Sequence, residues 1–398
     1  MKYMFITYGC QMNTADSEEM SRPLAARGFE PTSDLQQADI VLMNTCTVRD
    51  QAEHRAQSNL GRLRDWKDQD PRRVLIVAGC AASRWGDSIK KRYPYIDLVA
   101  PATQIEKFPE LVAEVLKDRW NGQAETETAF QGIGVTEYRS TDSTPTPRHS
   151  DTPIQSSELF GDSQTAYVTI MRGCNYSCSY CIVPQVRGRE VYRAPNEILS
   201  EIRSKVDQGL REVMLLGQTV NSYYARVEGA PMDFADLLRA VDAVKGVERI
   251  RFMSPHPRHM RERVIQAMRD STKVCRHIHL PVQSGSDRLL ERMNRLYTRA
   301  QYLSIIRELR RAMPGLLITT DVIVGYPGET DADFAATLSL LEEVTFEGLF
   351  AFKFSPRPGT AAAGQPDDVP ADIKENRLQQ VLALNKDIQR QNRREILL

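Results

Sequence analysis

The chain has 398 residues, too many for one ordinary domain, and about 150 residues per domain gives two to three. Its apolar share of 41% and charged share of 26% are those of a globular protein, which excludes a disordered chain, a collagen-like fibre and a small disulfide scaffold. Lys plus Arg is 52 and Asp plus Glu is 52, so net charge licenses no whole-chain attraction for nucleic acid and leaves only a local basic face.

Lys2 to Tyr8 reads as a strand, without the small-residue cleavage site of a signal peptide. A helix follows from Asp16 to Arg27, ended by Gly28, then a strand from Asp39 to Met43 and a charged helix from Arg49 to Lys67. Arg73 to Ala78 and Ile96 to Val99 are further strands, the last leading to a helix from Ile105 to Lys117. Strands alternating with helices over residues 1–120 predict a doubly wound parallel α/β sheet. Residues 121–163 are rich in Thr, Ser, Pro and Gly, too apolar-poor to offset the entropy of ordering, and read as a polar flexible linker. From 164 to 365 the alternation repeats six times. Its strands are Tyr167–Met171, Glu212–Leu216, Arg249–Met253, Arg276–Val282, Leu317–Val324 and Leu349–Phe354. The helices between them include Pro195–Gln208, Phe234–Val244, Arg258–Arg269, Asp287–Arg295, Arg299–Met313 and Asp331–Val344. Six units are two short of a closed barrel, so a partial (βα)6 TIM-like barrel is expected, working at the carboxyl ends of its strands. Residues 366–398 hold an amphipathic helix, Asp372–Arg394. No uncharged apolar run approaches the roughly 18 residues that cross a bilayer, so no membrane partner is expected. Seven cysteines in a long chain without an export signal point to thiols kept reduced in a cytoplasm.

Cys10, Cys46 and Cys80 are too far apart for a local motif, but each follows one of the first three strands. The carboxyl ends of a parallel sheet share one edge, where ligands bind, so the three thiols define a three-ligand metal site. One such cysteine reads as a small buried hydrophobe; three at equivalent positions do not. Cys174, Cys178 and Cys181 form Cys-x3-Cys-x2-Cys directly after the first barrel strand. Structural zinc takes four protein ligands and no fourth lies nearby. A 4Fe–4S cluster on three thiolates leaves one iron open for catalysis.

Polar residues recur after the barrel strands: Gln218 and Asn221, Ser254 and His256, Gln283 and Ser284, Ser355 and Arg357. Singly each is a loop-former; together, around one mouth, they suit a polar cofactor. Tyr180 lies inside the cysteine loop and by itself suits the core. Arg187, Arg189 and Arg193 follow that loop, as solvated charge or as phosphate contacts for RNA.

The Cys-x3-Cys-x2-Cys loop at the mouth of a six-unit barrel resembles the radical S-adenosylmethionine superfamily. Thr7-Tyr8-Gly9-Cys10-Gln11-Met12-Asn13, Asn44-Thr45-Cys46-Thr47-Val48-Arg49, Leu280-Pro281-Val282-Gln283-Ser284-Gly285-Ser286 and Asp321 to Thr330 narrow the resemblance to its methylthiotransferases, and Gln11-Met12-Asn13 to the MiaB type acting on tRNA. The resemblance implies two 4Fe–4S clusters, one on each cysteine trio, and S-adenosyl-L-methionine, with Cys174, Cys178 and Cys181 at the catalytic one. It implies that Tyr180, Gln218, Asn221, Ser254, Gln283 and Arg357 bind S-adenosylmethionine. Gln11, Asn13, Asn44, Arg187, Arg189 and Arg193 would then face the substrate. That substrate is N6-isopentenyladenosine at position 37 of a tRNA anticodon stem-loop, methylthiolated at carbon 2 by a radical made from S-adenosylmethionine. An electron donor such as flavodoxin or ferredoxin is a further implied partner. The rival substrates are another tRNA adenosine derivative and a ribosomal-protein aspartate, and a rival class is a zinc protein that binds RNA. Members usually carry a C-terminal RNA-binding β-barrel, the TRAM domain, after a helix like Asp372–Arg394; with the chain ending at Leu398 it is expected to be absent.

Overall fold

The computed structural model describes residues 1–48, 50–119, 165–227 and 229–396. The linker expected over 121–163 lies outside them. The described residues pack as two compact units: those within 1–168 with 185–188 and 201–213, and the remainder.

In the first unit, β1 (Lys2–Tyr8), β2 (Glu30–Pro31), β3 (Ile40–Thr45), β4 (Val74–Gly79) and β5 (Leu98–Pro101) form one sheet in the order β2-β1-β3-β4-β5. Every pairing in it is parallel. Successive side chains of a strand point to opposite faces, and here both faces are apolar. Tyr3, Phe5, Ile40, Leu42, Val74 and Ile76 face Met20, Leu24, Phe108 and Val112 of helices 11–25 and 108–119. Val41, Met43, Leu75 and Val77 face Leu60, Leu63 and Trp66 of helix 50–68 on the other side. The sheet is therefore doubly wound, as expected. The two-residue strand β2 was not foreseen, because Glu30 and Pro31 are exposed and lack any apolar alternation. The first helix also starts earlier than expected, at Gln11, because Cys10 is its N-cap.

The second alternating region supplies β6 (Thr165–Thr169), β7 (Met171–Arg172), β8 (Val191–Tyr192), β9 (Glu212–Leu216), β10 (Tyr224–Val227), β11 (Ala230–Asp233), β12 (Arg249–Phe252), β13 (His277–His279), β14 (Leu317–Val324) and β15 (Gly348–Lys353). Six of them build a partial (βα)6 barrel as two sheets, β12-β9-β6 and β13-β14-β15. The second sheet is parallel, and a parallel bridge between Ile250 and Val274 joins the β12 side to the approach of β13. The barrel helices start where the chain supplies caps. Asp233 with Asp236, Thr298 with Gln301 and Thr330 with Asp333 each form a capping box, satisfying two otherwise orphaned N–H groups. The antiparallel pairs β7–β8 and β10–β11 were not expected from the sequence. Helix Ala371–Ile396 packs on the barrel through the buried Arg377–Glu329 pair at 2.7 Å and Gln389 Nε2 donating to Glu347 O. No helix among the described residues is long and apolar enough to cross a membrane.

Candidate metal centres

In the first unit, register brings the three early cysteines together. Tyr8 pairs with Thr45, and Thr45 with Gly79, so β1, β3 and β4 end level on adjacent strands, about 4.8 Å apart. Cys10, Cys46 and Cys80 are the next residues or one beyond. Two glycines permit this convergence. A Cβ on Gly9 would lie 2.3 Å from Asn13 Oδ1 and 2.9 Å from Cys46 Cβ; one on Gly79, at φ +92°, would lie 2.2 Å from Asn44 Oδ1. Beneath the thiols runs a closed amide network. Asn13 Nδ2 donates to Asn44 Oδ1 at 3.1 Å, Asn44 Nδ2 donates to Asn13 O and Ser17 Oγ, and Asn13 Oδ1 accepts from Cys10 N and Sγ. Beside Cys46, Thr47 and Trp85 both donate to Glu53.

These contacts correct three expectations. Asn13 and Asn44 are fully buried and spend their amides on each other and the backbone, so they shape the strand ends rather than meet a substrate. Arg187 is only 6% exposed; its Nη2 donates to Asp16 Oδ2 at 2.8 Å and its Nε to Cys80 Sγ at 3.0 Å, so it has no surface to offer a phosphate. Burial pushes the Cys80 thiol up, and Arg187 draws it back toward the thiolate. Gln11 is half-buried and Arg189 is exposed.

In the second unit the loop from Cys174 to Cys181 leaves β7 through Gly173, at φ +76°. Its middle is pinned: Ser179 N donates to Met293 O, Ser179 Oγ to Arg292 O, and Ala362 N to Ser179 O. Each end finds donors for sulfur. Tyr176 N donates to Cys174 Sγ at 3.4 Å, Thr219 Oγ1 sits 3.4 Å from the same sulfur, and Arg295 Nη1 donates to Cys178 Sγ at 3.3 Å. Burial together with Cys178 pushes the Cys181 thiol up to about 12, the mark of a site whose thiolates need a positive partner. Tyr180 packs half-buried against Leu289, Met293, Tyr326, Phe354 and Ala362.

The expected cofactor contacts divide. Asn221 exchanges both amide bonds with the His256 backbone, at 2.9 and 2.8 Å, and so builds the loop after β12 instead of facing a ligand. Arg193 likewise donates to Thr169 O, which makes it a strut of β6. Gln218 Oε1 is buried with no partner. His256 Nδ1 accepts from Arg258 N, which leaves the proton on Nε2, and that atom too is buried without a partner. Burial, helped by Arg295, His259 and Arg258, pushes His256 down to about 2, so the ring is neutral. An orphaned acceptor and an orphaned donor suit a bound polar cofactor, since buried polar groups are otherwise paired. Ser254 is exposed at φ +59°, Gln283 is buried at φ +72°, and Arg357 is half-buried. Sequence reasoning missed Arg295 and Asp16 as cluster neighbours, because their partners lie 117 and 171 residues away along the chain.

Among the described residues, no three Cys, His, Asp or Glu side chains close around a single ion. Both trios nonetheless suit an anionic iron–sulfur cluster: all seven cysteines are free thiols, and a buried guanidinium donates to one sulfur of each trio.

Residues 168–341 match the radical SAM superfamily, and residues 2–101 match a family described only as uncharacterized, UPF0004. The fold has a solved counterpart in the radical S-adenosylmethionine methyltransferase TsrM from Kitasatospora setae, at a TM-score of 0.62 and 17% identity over 91% of this chain and 74% of that one. Two proteins named tRNA-2-methylthio-N(6)-dimethylallyladenosine synthase are each 45% identical to it. That from Sorangium cellulosum matches over 95% of this chain and 76% of its own length, and that from Geobacter metallireducens over 97% and 83%. The superfamily match over the barrel and its thiol loop thus defines a radical S-adenosylmethionine enzyme. Near-full-length identity goes further: the chain belongs to the tRNA-2-methylthio-N(6)-dimethylallyladenosine synthase family.

Proposed function

We propose that this protein methylthiolates carbon 2 of N6-isopentenyladenosine at position 37 of tRNA, with one 4Fe–4S cluster on Cys10, Cys46 and Cys80 and a second on Cys174, Cys178 and Cys181. The observation that carries the reading is the pairing of two thiol trios, one in each unit, with near-full-length identity to synthases of that name. When bound, the clusters and S-adenosylmethionine supply a radical able to take hydrogen from an unactivated carbon and a sulfur to replace it, chemistry beyond any side-chain base.

The chain's own residues do the holding. Cys174, Cys178 and Cys181 would hold a cluster able to take S-adenosylmethionine, and the unpaired Gln218 Oε1 and His256 Nε2 are buried polar atoms left to bind that cofactor. Arg187 and Arg295 offset thiolate charge. Gln11, half-buried next to Cys10, and the exposed Arg189 remain as substrate contacts. Ser254, Gln283, Arg357 and Tyr180 remain as cofactor contacts. The base leaves its stack to be reached, as in other enzymes acting on a nucleobase. A flavodoxin or ferredoxin supplies electrons, and free thiols favour a cytoplasmic setting.

The test is anaerobic turnover with isopentenylated tRNA, unmodified tRNA and ribosomal protein as competing acceptors. Methylthiolation confined to the isopentenylated tRNA is expected. Equal modification of both tRNAs, or of the protein alone, would overturn the substrate assignment.

A further inference from the structure

We propose that Arg295 sets the reduction potential of the cluster held by Cys174, Cys178 and Cys181, by presenting an uncompensated positive charge to Cys178. The proposal rests on the cluster assignment made above.

Three arginines are buried among the described residues: Arg187, Arg295 and Arg377. Two have carboxylate partners, Asp16 for Arg187 and Glu329 with Asp331 for Arg377. Arg295 has none. Its Nε donates to Tyr297 Oη at 3.1 Å, its Nη2 to Pro281 O at 3.3 Å and its Nη1 to Cys178 Sγ at 3.3 Å, with its guanidinium carbon 5.3 Å from the Tyr297 ring centre. Hydroxyl, carbonyl and ring are neutral, so they satisfy the N–H groups without cancelling the charge. A buried charge left unbalanced is strongly unfavourable, and among the described residues the group in hydrogen-bonding reach that can balance it is the thiolate of Cys178, with its trio and what that binds.

The backbone is strained to keep the side chain there. Asn294 at φ +56° and Leu296 at φ +59° flank Arg295 in the left-handed region, and Leu296 is half exposed, so no core packing of its own accounts for its conformation. Asn294 Nδ2 donates to Ser177 O and Oγ, at 3.0 and 2.8 Å, which ties the strained turn to the cysteine loop. Strain of this kind persists where the surroundings over-determine it, commonly at functional sites.

One-electron reduction by an external donor adds one negative charge to the cluster. A fixed cation within hydrogen-bonding distance of a ligand sulfur favours the reduced form, and low local dielectric strengthens the effect. Arg187, neutralised by Asp16, supplies less net charge to Cys80.

The experiment uses the full chain with Cys10, Cys46 and Cys80 replaced by alanine, so that a single cluster is loaded. Its midpoint is followed by paramagnetic resonance in an anaerobic titration without S-adenosylmethionine. Relative to this parent, Arg295→Met is expected to lower the reduction equilibrium constant about tenfold, which for one electron is about 59 mV. Arg295→Lys, which keeps the charge, is expected to shift it less. Should the methionine variant fail to hold iron, Arg295→Gln against Arg295→Lys gives the same comparison. An unchanged midpoint at equal iron content overturns the proposal, as do equal shifts in the charged and uncharged variants. So does an unchanged midpoint with weakened S-adenosylmethionine binding, which would assign Arg295 to the cofactor. A parent that holds no cluster on Cys174, Cys178 and Cys181 would instead refute the assignment beneath it.

Discussion

Arg187 and Cys80 are joined by an N–H···S hydrogen bond: Nε donates to Sγ at 3.0 Å, while the same guanidinium pairs with Asp16 at 2.8 Å. Arg187 comes six residues after Cys181, and its segment 185–188 packs with the first unit. A residue following the second cysteine motif therefore completes the surroundings of the first.

Breaking that buried pair should be costly. Arg187→Met takes the guanidinium away from Asp16, a carboxylate at 1% exposure, so a loss of about 3–5 kcal/mol is expected in urea unfolding. Adding Asp16→Leu should recover part of the loss, because no buried carboxylate remains at that position. A double variant no more stable than the worse single one would mean that the pair matters only through shape.

The two trios should separate functionally. Alanine at Cys174, Cys178 and Cys181 is expected to abolish 5′-deoxyadenosine formation and to halve bound iron. Alanine at Cys10, Cys46 and Cys80 is expected to halve iron, preserve 5′-deoxyadenosine and stop methylthiolation. Iron quantitation with nucleoside analysis reads both; methylthiolated product from the second variant contradicts its sulfur-delivery role.

Gly79→Ala places a methyl 2.2 Å from Asn44 Oδ1 and 2.5 Å from Thr45 O, at a φ of +92° that alanine disfavours. The expected cost exceeds about 1 kcal/mol, with iron lost from the first trio before the second. Equal iron loss from both trios would argue that the damage is global.

Stability should fall as the solution is acidified below pH 6.5. His256 titrates at about 2 in the fold against 6.5 unperturbed, because burial, then Arg295, disfavour its charged form. Between those values the unfolded chain binds more protons, so stability is present above 6.5 and lost progressively as pH falls. His277, pushed down to about 4 chiefly by burial, adds to the same window. His256→Gln should flatten the dependence, as measured by thermal unfolding at about pH 5 and about pH 7.5. An unchanged slope would place the acid sensitivity in other groups.

Arg189 should act through charge alone. Arg189→Ala is expected to weaken tRNA binding across sequences and to reduce the salt slope of log K by about 0.7–0.9, the share of one phosphate contact. Filter binding over a salt series measures it, and an unchanged slope removes Arg189 from the RNA surface.

The sequence by itself determined the alternation of strands and helices, the partial barrel and both cysteine trios. These are carried by period and spacing, which a single chain displays: β9 and β14 fall on the expected residues, and Cys-x3-Cys-x2-Cys is local. Short elements escaped it, because β2 and the β10–β11 hairpin have no apolar face to create a pattern. Only the tertiary structure decided which polar side chains are spent inside the fold. Asn13 and Asn44 are 31 residues apart, Arg187 is 107 from Cys80, and Arg295 is 117 from Cys178. Whether an arginine is a surface charge or a buried partner of sulfur depends on what packs across from it, and that partner is set by strand register and loop path, not by neighbouring residues in the chain.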